Sequence, residues 1–140
     1  MKAETYLGFD FGIRHIGIAV GQNITQTASP ITSLAAKGGE PKWQEVDEII
    51  TKWKPNKLIV GIAIWPDEPN QPMTIATKKF AKKLAERYGL TVDLIDESLT
   101  TREARNQYGE AKYGSATKRK KVDALAAVLI LETWLHENSL

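Results

Sequence analysis

The chain opens with two short runs in which large apolar residues alternate with small ones. Leu7, Phe9 and Phe11 fall on one side and Gly8, Asp10 and Gly12 on the other, which predicts a strand over 6–10. Ile16, Ile18 and Val20 alternate with Gly17, Ala19 and Gly21, so a second strand is expected over 16–21. Gly12 to His15 is a short connection, and the two strands should form a hairpin. One face of that hairpin holds almost only Gly and Ala, with a single acid, Asp10. A face so small lets something approach the backbone closely.

Further along, a short third strand is expected over 29–34, and Lys37-Gly38-Gly39 breaks the chain. Glu40-Pro41 is expected to open a helix, since Pro is tolerated in a first turn. Trp43, Val46, Ile49, Ile50 and Trp53 recur at helical spacing, and Lys54-Pro55-Asn56 stops the run. Leu58 to Ile64 is continuously apolar, as in a strand buried on both faces. The stretch 65–72 carries three prolines and reads as a loop. A helix follows over 72–88, with Met73, Ala76, Phe80, Leu84 and Tyr88 on one face and Lys78, Lys79, Lys82 and Lys83 largely on the other. Gly89 ends it. Val92 to Ile95 predicts a last strand that runs into Asp96-Glu97. A short helix from Thr100 or Thr101 to Arg105, a polar loop over 106–115 and a final helix over about 117–137 complete the chain. This order predicts one α/β domain over 1–140, with a mixed five-stranded sheet and helices on both faces.

Composition narrows the setting. With 140 residues, 42% of them hydrophobic and 26% charged, the chain suits a single globular domain. The absence of cysteine excludes disulfides, thiolate zinc sites and cysteine nucleophiles, and fits a reducing compartment. The longest apolar runs, 58–65 and 124–131, are too short to span a bilayer, and Met1 to Thr5 leads into no apolar signal core. A cytoplasmic protein without a membrane partner is expected. The net charge of +2 hides an uneven distribution: between Arg102 and Lys121 seven basic residues face two acids. Such a stretch suits a polyanion, although a solvated loop and helix start is the plainer account of a charge run.

Three carboxylates stand in awkward places. Asp10 lies inside an apolar strand, where a lone charge is costly unless paired or bound to a metal. Asp123 shares a helical stripe with Ala126, Ala127, Ile130 and Trp134, though a first-turn acid complementing the helix dipole is an equal reading. Of Asp96 and Glu97, only one can share Asp10's face, and spacing leaves open which. Carboxylate oxygens are hard ligands suited to Mg²⁺ or Mn²⁺, and two such ions roughly 3.5–4 Å apart can promote phosphodiester hydrolysis. The two histidines, His15 and His136, are far apart, and neither a zinc-protease motif, a nucleophile elbow nor a phosphate-binding Gly-Lys-Ser/Thr loop is present.

Several segments resemble the YqgF (RuvX) family. These are Phe9-Asp10-Phe11-Gly12 with Arg14-His15-Ile16-Gly17-Ile18-Ala19-Val20-Gly21, the strand Leu58-Ile59-Val60-Gly61, Asp96-Glu97 with Leu99-Thr100-Thr101 and Glu103-Ala104, and Lys121-Val122-Asp123-Ala124 with Ala126-Ala127 and Ile130-Leu131. The resemblance spans essentially the whole chain. It implies a ribonuclease H-like fold, grouped with Holliday-junction resolvases, and bacterial members described as candidate pre-16S rRNA nucleases. It implies Asp10, Glu97 and Asp123 as the catalytic, metal-binding triad, and so selects Glu97 over Asp96. The chain departs from the family pattern at Ile13, where a small hydroxyl residue is usual, at Ser98, where Arg is usual, and after the central strand at Gly61 to Trp65 and Asp67-Glu68.

The expectation is therefore a metal-dependent nuclease acting on structured RNA, such as precursor 16S ribosomal RNA. Arg14, Arg102, Lys118, Arg119, Lys120 and Lys121 are expected to hold the backbone without reading bases. The alternatives are a resolvase of four-way DNA junctions, which two-fold cleavage would make a homodimer rather than a monomer, and a non-catalytic nucleic-acid-binding module.

Overall fold

A computed structural model describes residues 2–64, 67–96 and 116–138, with backbone alone over 116–123. Six strands form one sheet: β1 (Thr5–Asp10), β2 (His15–Gln22), β3 (Thr27–Lys37), β4 (Glu40–Pro41), β5 (Lys57–Ile62) and β6 (Val92–Asp96). Three helices accompany them: α1 (Trp43–Trp53), α2 (Pro72–Tyr88) and α3 (Ala116–Glu137). The sheet order is β4-β3-β2-β1-β5-β6, antiparallel from β4 to β1 and parallel from β1 to β6. Each parallel step is bridged by a helix, α1 between β4 and β5 and α2 between β5 and β6, as parallel pairing requires.

The alternation seen in the sequence divides the core into two layers. Leu7, Phe9, Ile16, Ile18, Leu58 and Val60 pack beneath Val46 of α1 and Phe80, Ala81 and Leu84 of α2. On the other face, Tyr6, Ala19, Ile59 and Ile95 pack against Ala127, Ile130, Leu131 and Trp134 of α3. The small face of the hairpin is thus covered by the chain's own last helix. A β-carbon on Gly8 would lie 2.8 Å from Leu131 Cβ, and one on Gly21 would lie 2.9 Å from Leu131 Cδ2. Side chains at these positions would hold α3 off the sheet.

The fold departs from expectation in local detail. The sheet has six strands rather than five, because Glu40-Pro41 folds back on Ala36 and Lys37 instead of opening a helix. Gly38 (φ 60°) and Gly39 (φ 84°) supply the left-handed pair that such a tight reversal needs. Lys42 then caps α1. The third strand is also longer, 11 residues, and accommodates Pro30 beside a register shift at Ile18/Ala19. In α2 the buried positions are Thr74, Thr77, Phe80, Ala81 and Leu84, while Met73 is exposed. The Thr74 hydroxyl donates to the Ala63 carbonyl (2.9 Å) and ties the start of α2 to the carboxyl end of β5. The short helix expected from Thr100 or Thr101 and the loop over 106–115 lie outside the described residues.

Among the described residues no helix is long and apolar enough to cross a membrane.

Candidate active site

Asp10 ends β1 and is buried at 6% exposure. Its register partners are Gly17 on β2 and Gly61 on β5, so on both flanks the neighbour lacks a side chain. Pairing extends the row to Ser33 on β3 and Ile95 on β6. Residues paired in this way point to the same face of a sheet. Ser33-Gly17-Asp10-Gly61-Ile95 is therefore one row across five strands, near the carboxyl ends of the parallel strands β1, β5 and β6. That edge is where ligand sites of open α/β sheets gather.

The row decides the direction of Asp96. It pairs with Ile62, one residue beyond the Gly61–Ile95 pair, so it lies on the opposite face from Asp10 and is exposed. Glu97 lies outside the described residues, as does Arg102.

Helix α3 runs back along β1. The Tyr6 and Trp134 rings meet edge to face at 4.9 Å, and a β-carbon on Gly8 would lie 3.2 Å from the Ala127 carbonyl oxygen. Two residues along β1 advance the chain by about 6.6 Å, and four residues along a helix by about 6 Å. Tyr6 thus faces Trp134, and Gly8 faces Leu131 and Ala127, so α3 runs antiparallel to β1 with its first turns toward Asp10's end of the strand. The helical backbone of position 123 lies one turn before Ala127; the Asp123 side chain is outside the described set. The same holds for Lys118, Arg119, Lys120 and Lys121, which fall in those first turns.

The loop that follows Asp10 is held from behind. Ala36 N donates to the Arg14 carbonyl (2.8 Å) and Gly39 N donates to the Ile13 carbonyl (2.9 Å), so the β3–β4 turn buttresses it. A β-carbon on Gly12 would lie 2.5 Å from the His15 carbonyl oxygen, which reserves that position for glycine. Arg14 is exposed on this loop. His15 is half-buried and shares the face of Gly17, hence of Asp10.

The buried Asp10 carboxylate is a hard oxygen donor of the kind that suits Mg²⁺ or Mn²⁺. Among the described residues no three His, Asp or Glu side chains gather as a metal site; of the expected triad only the Asp10 side chain is among them. Sequence reasoning missed Ser33, buried at 2% exposure in Asp10's row, because nothing in the pattern of β3 distinguishes it. It also missed that both of Asp10's cross-strand partners are glycines, which only the register reveals.

Comparison with known proteins follows the same lines. Residues 4–137 match the family model RuvX, described as Holliday junction resolvase. A Nitrosococcus oceani protein named "Putative pre-16S rRNA nuclease" is 43% identical over 136 residues, covering 97% of this chain and 89% of that protein. A Legionella pneumophila protein of the same name is 44% identical over 138 residues, covering 99% of each. Among solved structures, Thermus thermophilus RuvC in complex with a Holliday junction substrate aligns with TM-score 0.54 at 15% identity, over 96% of this chain and 94% of that one. Fowlpox virus resolvase with Holliday junction DNA aligns with TM-score 0.54 at 12% identity, over 95% and 97%. At those identities the likeness is one of fold, the ribonuclease H-like sheet of the resolvases. With nearly its whole length matched, the chain belongs to the RuvX family of nucleases.

Proposed function

We propose that the protein is a metal-dependent nuclease that hydrolyses phosphodiester bonds in structured RNA, with precursor 16S ribosomal RNA as substrate. The observation that carries this reading is the buried Asp10 carboxylate between Gly17 and Gly61 at the carboxyl edge of the sheet. The relatives' names supply the substrate class.

Asp10, Glu97 and Asp123 would hold Mg²⁺ or Mn²⁺. Alternation supports Glu97 over its neighbour: Ile95 shares Asp10's face and Asp96 does not. The course of α3 along β1, with its first turns toward Asp10's end, supports Asp123. A divalent ion so held supplies Lewis-acid stabilisation of the charge that develops on phosphate oxygens and lowers the pKa of a nucleophilic water. The protein's own part is to keep this corner narrow and oriented. The buttressed loop 11–14 presents the exposed Arg14 beside Asp10's end of β1. Arg102, Lys118, Arg119, Lys120 and Lys121 add charge for the RNA backbone, contacts that position the substrate without reading its sequence.

The family description favours a second substrate, the four-way DNA junction, for the same chemistry. Incubation of the purified protein with Mn²⁺ and, separately, precursor 16S rRNA and a four-way DNA junction tests both. Metal-dependent cleavage of the RNA, lost on chelation, supports the proposal. Cleavage of the junction alone transfers the function to DNA, and cleavage of neither leaves a binding module.

A further inference from the structure

Helix α2 carries two kinds of lysine. Lys83, together with Arg87, turns toward α1 and β4, where Lys83 pairs with Glu40 and Arg87 forms a two-pronged bond with Asp47 (2.9 and 2.8 Å). Lys78, Lys79 and Lys82 turn away to solvent, and none has an acid partner among the described residues. Glu86, one turn beyond Lys82, makes no ion pair with it.

Ile75, Lys78, Lys79 and Lys82 stand at i, i+3, i+4 and i+7, so they form one exposed stripe opposite the buried Thr74, Thr77, Ala81 and Leu84. From 72 to 85 the helix contains four lysines and no acid. Lys78 and Lys82, one turn apart, repel each other, and the first turn of the helix lacks the acid that would complement its dipole. A solvated face gains nothing from that arrangement; a polyanion laid along it removes the repulsion.

The stripe begins near the carboxyl edge of the sheet. Thr74 is bonded to Ala63, two residues past Gly61, the register partner of Asp10. Lys78 to Lys82 lie four to eight residues further, about 6–12 Å along the helix axis and away from that edge, on the face of the sheet opposite Asp10, so a substrate that meets both must pass over the edge. A nucleic-acid duplex carries one charge per roughly 1.7 Å of axis, so one that reached Asp10's edge would offer several phosphates over this distance.

We propose that Lys78, Lys79 and Lys82 of α2 form a second docking surface for the phosphodiester backbone of the substrate, separate from the basic run at the start of α3. The inference rests on the nuclease reading above and concerns where the substrate lies beyond the cleavage point. The surface senses charge spacing and no base edge.

The test is equilibrium binding of the full chain in excess chelator, so that no cleavage occurs, to an RNA stem and to a four-way DNA junction over a salt series. Lys78→Gln/Lys79→Gln/Lys82→Gln should weaken binding at least tenfold at low salt. It should also flatten the slope of log K against log salt by up to about 2.7, at roughly 0.9 per lost contact on duplex. The single variants should each show part of this loss, and they serve if the triple variant fails to fold. Loss with both probes supports a general backbone surface, and loss with one probe assigns the surface to that nucleic acid. Unchanged affinity and slope with both, or no binding of either by the parent, overturns the proposal. A parent that binds in this way yet cleaves neither probe when metal is restored would defeat the nuclease reading and leave the docking surface standing.

Discussion

Gly61 and Ile130 are packed so closely that a β-carbon at position 61 would stand 2.4 Å from Ile130 Cδ1. The contact is between the strand that borders Asp10 and the helix that carries position 123. Close seating of α3 on the sheet therefore bears on stability and on the proposed site together.

Ala substitutions in this seat should separate by what they strike. Gly61→Ala meets Ile130 at Cδ1 (2.4 Å) and Cγ1 (2.9 Å), of which the Cδ1 end can swing away while χ1 stays fixed. Gly8→Ala meets Leu131 Cβ at 2.8 Å and the Ala127 carbonyl at 3.2 Å, groups fixed to the helix backbone. Overpacking of this sort costs about 1–3 kcal/mol. Urea unfolding should place Gly8→Ala at the upper end and Gly61→Ala below it. The reverse order would mean that α3 shifts more easily than Ile130 turns.

On the opposite face, α1 and α2 are joined through Asp47, which accepts from Arg87 and from the Tyr88 hydroxyl (2.7 Å). The Arg87 hydrogen bond, and then that of Tyr88, lowers the Asp47 carboxyl from 3.8 to about 2. A carboxylate with a depressed folded-state pKa stabilises the fold above its unfolded value and loses that contribution as pH falls through the folded one. Asp47→Asn should melt below the parent at pH 7. The gap should begin to close near pH 3.8 and vanish only below the folded-state value of about 2. A gap that persists unchanged through this range would show that the amide costs packing rather than charge.

Neighbouring acids at the end of β6 should behave differently. Asp96 lies on the face away from Asp10, so Asp96→Asn should leave phosphodiester hydrolysis near the parent rate. Glu97→Gln should remove it. Equal losses, or loss on Asp96→Asn alone, would place the metal on the other side of the sheet.

Much of this arrangement could be read before any coordinates. Of the unbroken apolar run from Leu58 to Ile64, residues 58–62 form β5, buried on both faces and next to the edge strand, while Ala63 and the exposed Ile64 lie beyond it; the bare face of the first hairpin does signal close approach. The identity of what approaches could not follow, since α3 comes from more than a hundred residues away and nothing local pairs it with Gly8. Glu40-Pro41 was misread because two residues are too few to show a period, whereas the Gly38-Gly39 reversal beside them contained the cue. Met73 fits a helical apolar stripe, yet the helix starts at the sheet's edge and its first turn is seated by Thr74. Asp10 stood out from its setting alone. The exclusion of Asp96 required the register from β1 through β5 to β6, a non-local quantity.

Burying several acids near one another costs stability through mutual repulsion when no cation is bound. In chelator, Asp10→Asn should therefore melt no lower than the parent. A strongly lowered melting temperature would make Asp10 a structural hydrogen-bond partner in the turn that follows it.

Asp10 is the proposed centre of the metal-dependent nuclease site. The direct measurement is the cleavage rate of precursor 16S rRNA in Mg²⁺ by the parent and by Asp10→Asn at equal folded fraction. Loss of an outer-shell partner of a metal site costs 10–100-fold, so loss of a ligand should exceed about a hundredfold. A drop of that size, with cleavage by the parent abolished by chelation, is the predicted result. Cleavage by Asp10→Asn at the parent's rate, or cleavage by the parent that survives chelation, would contradict it.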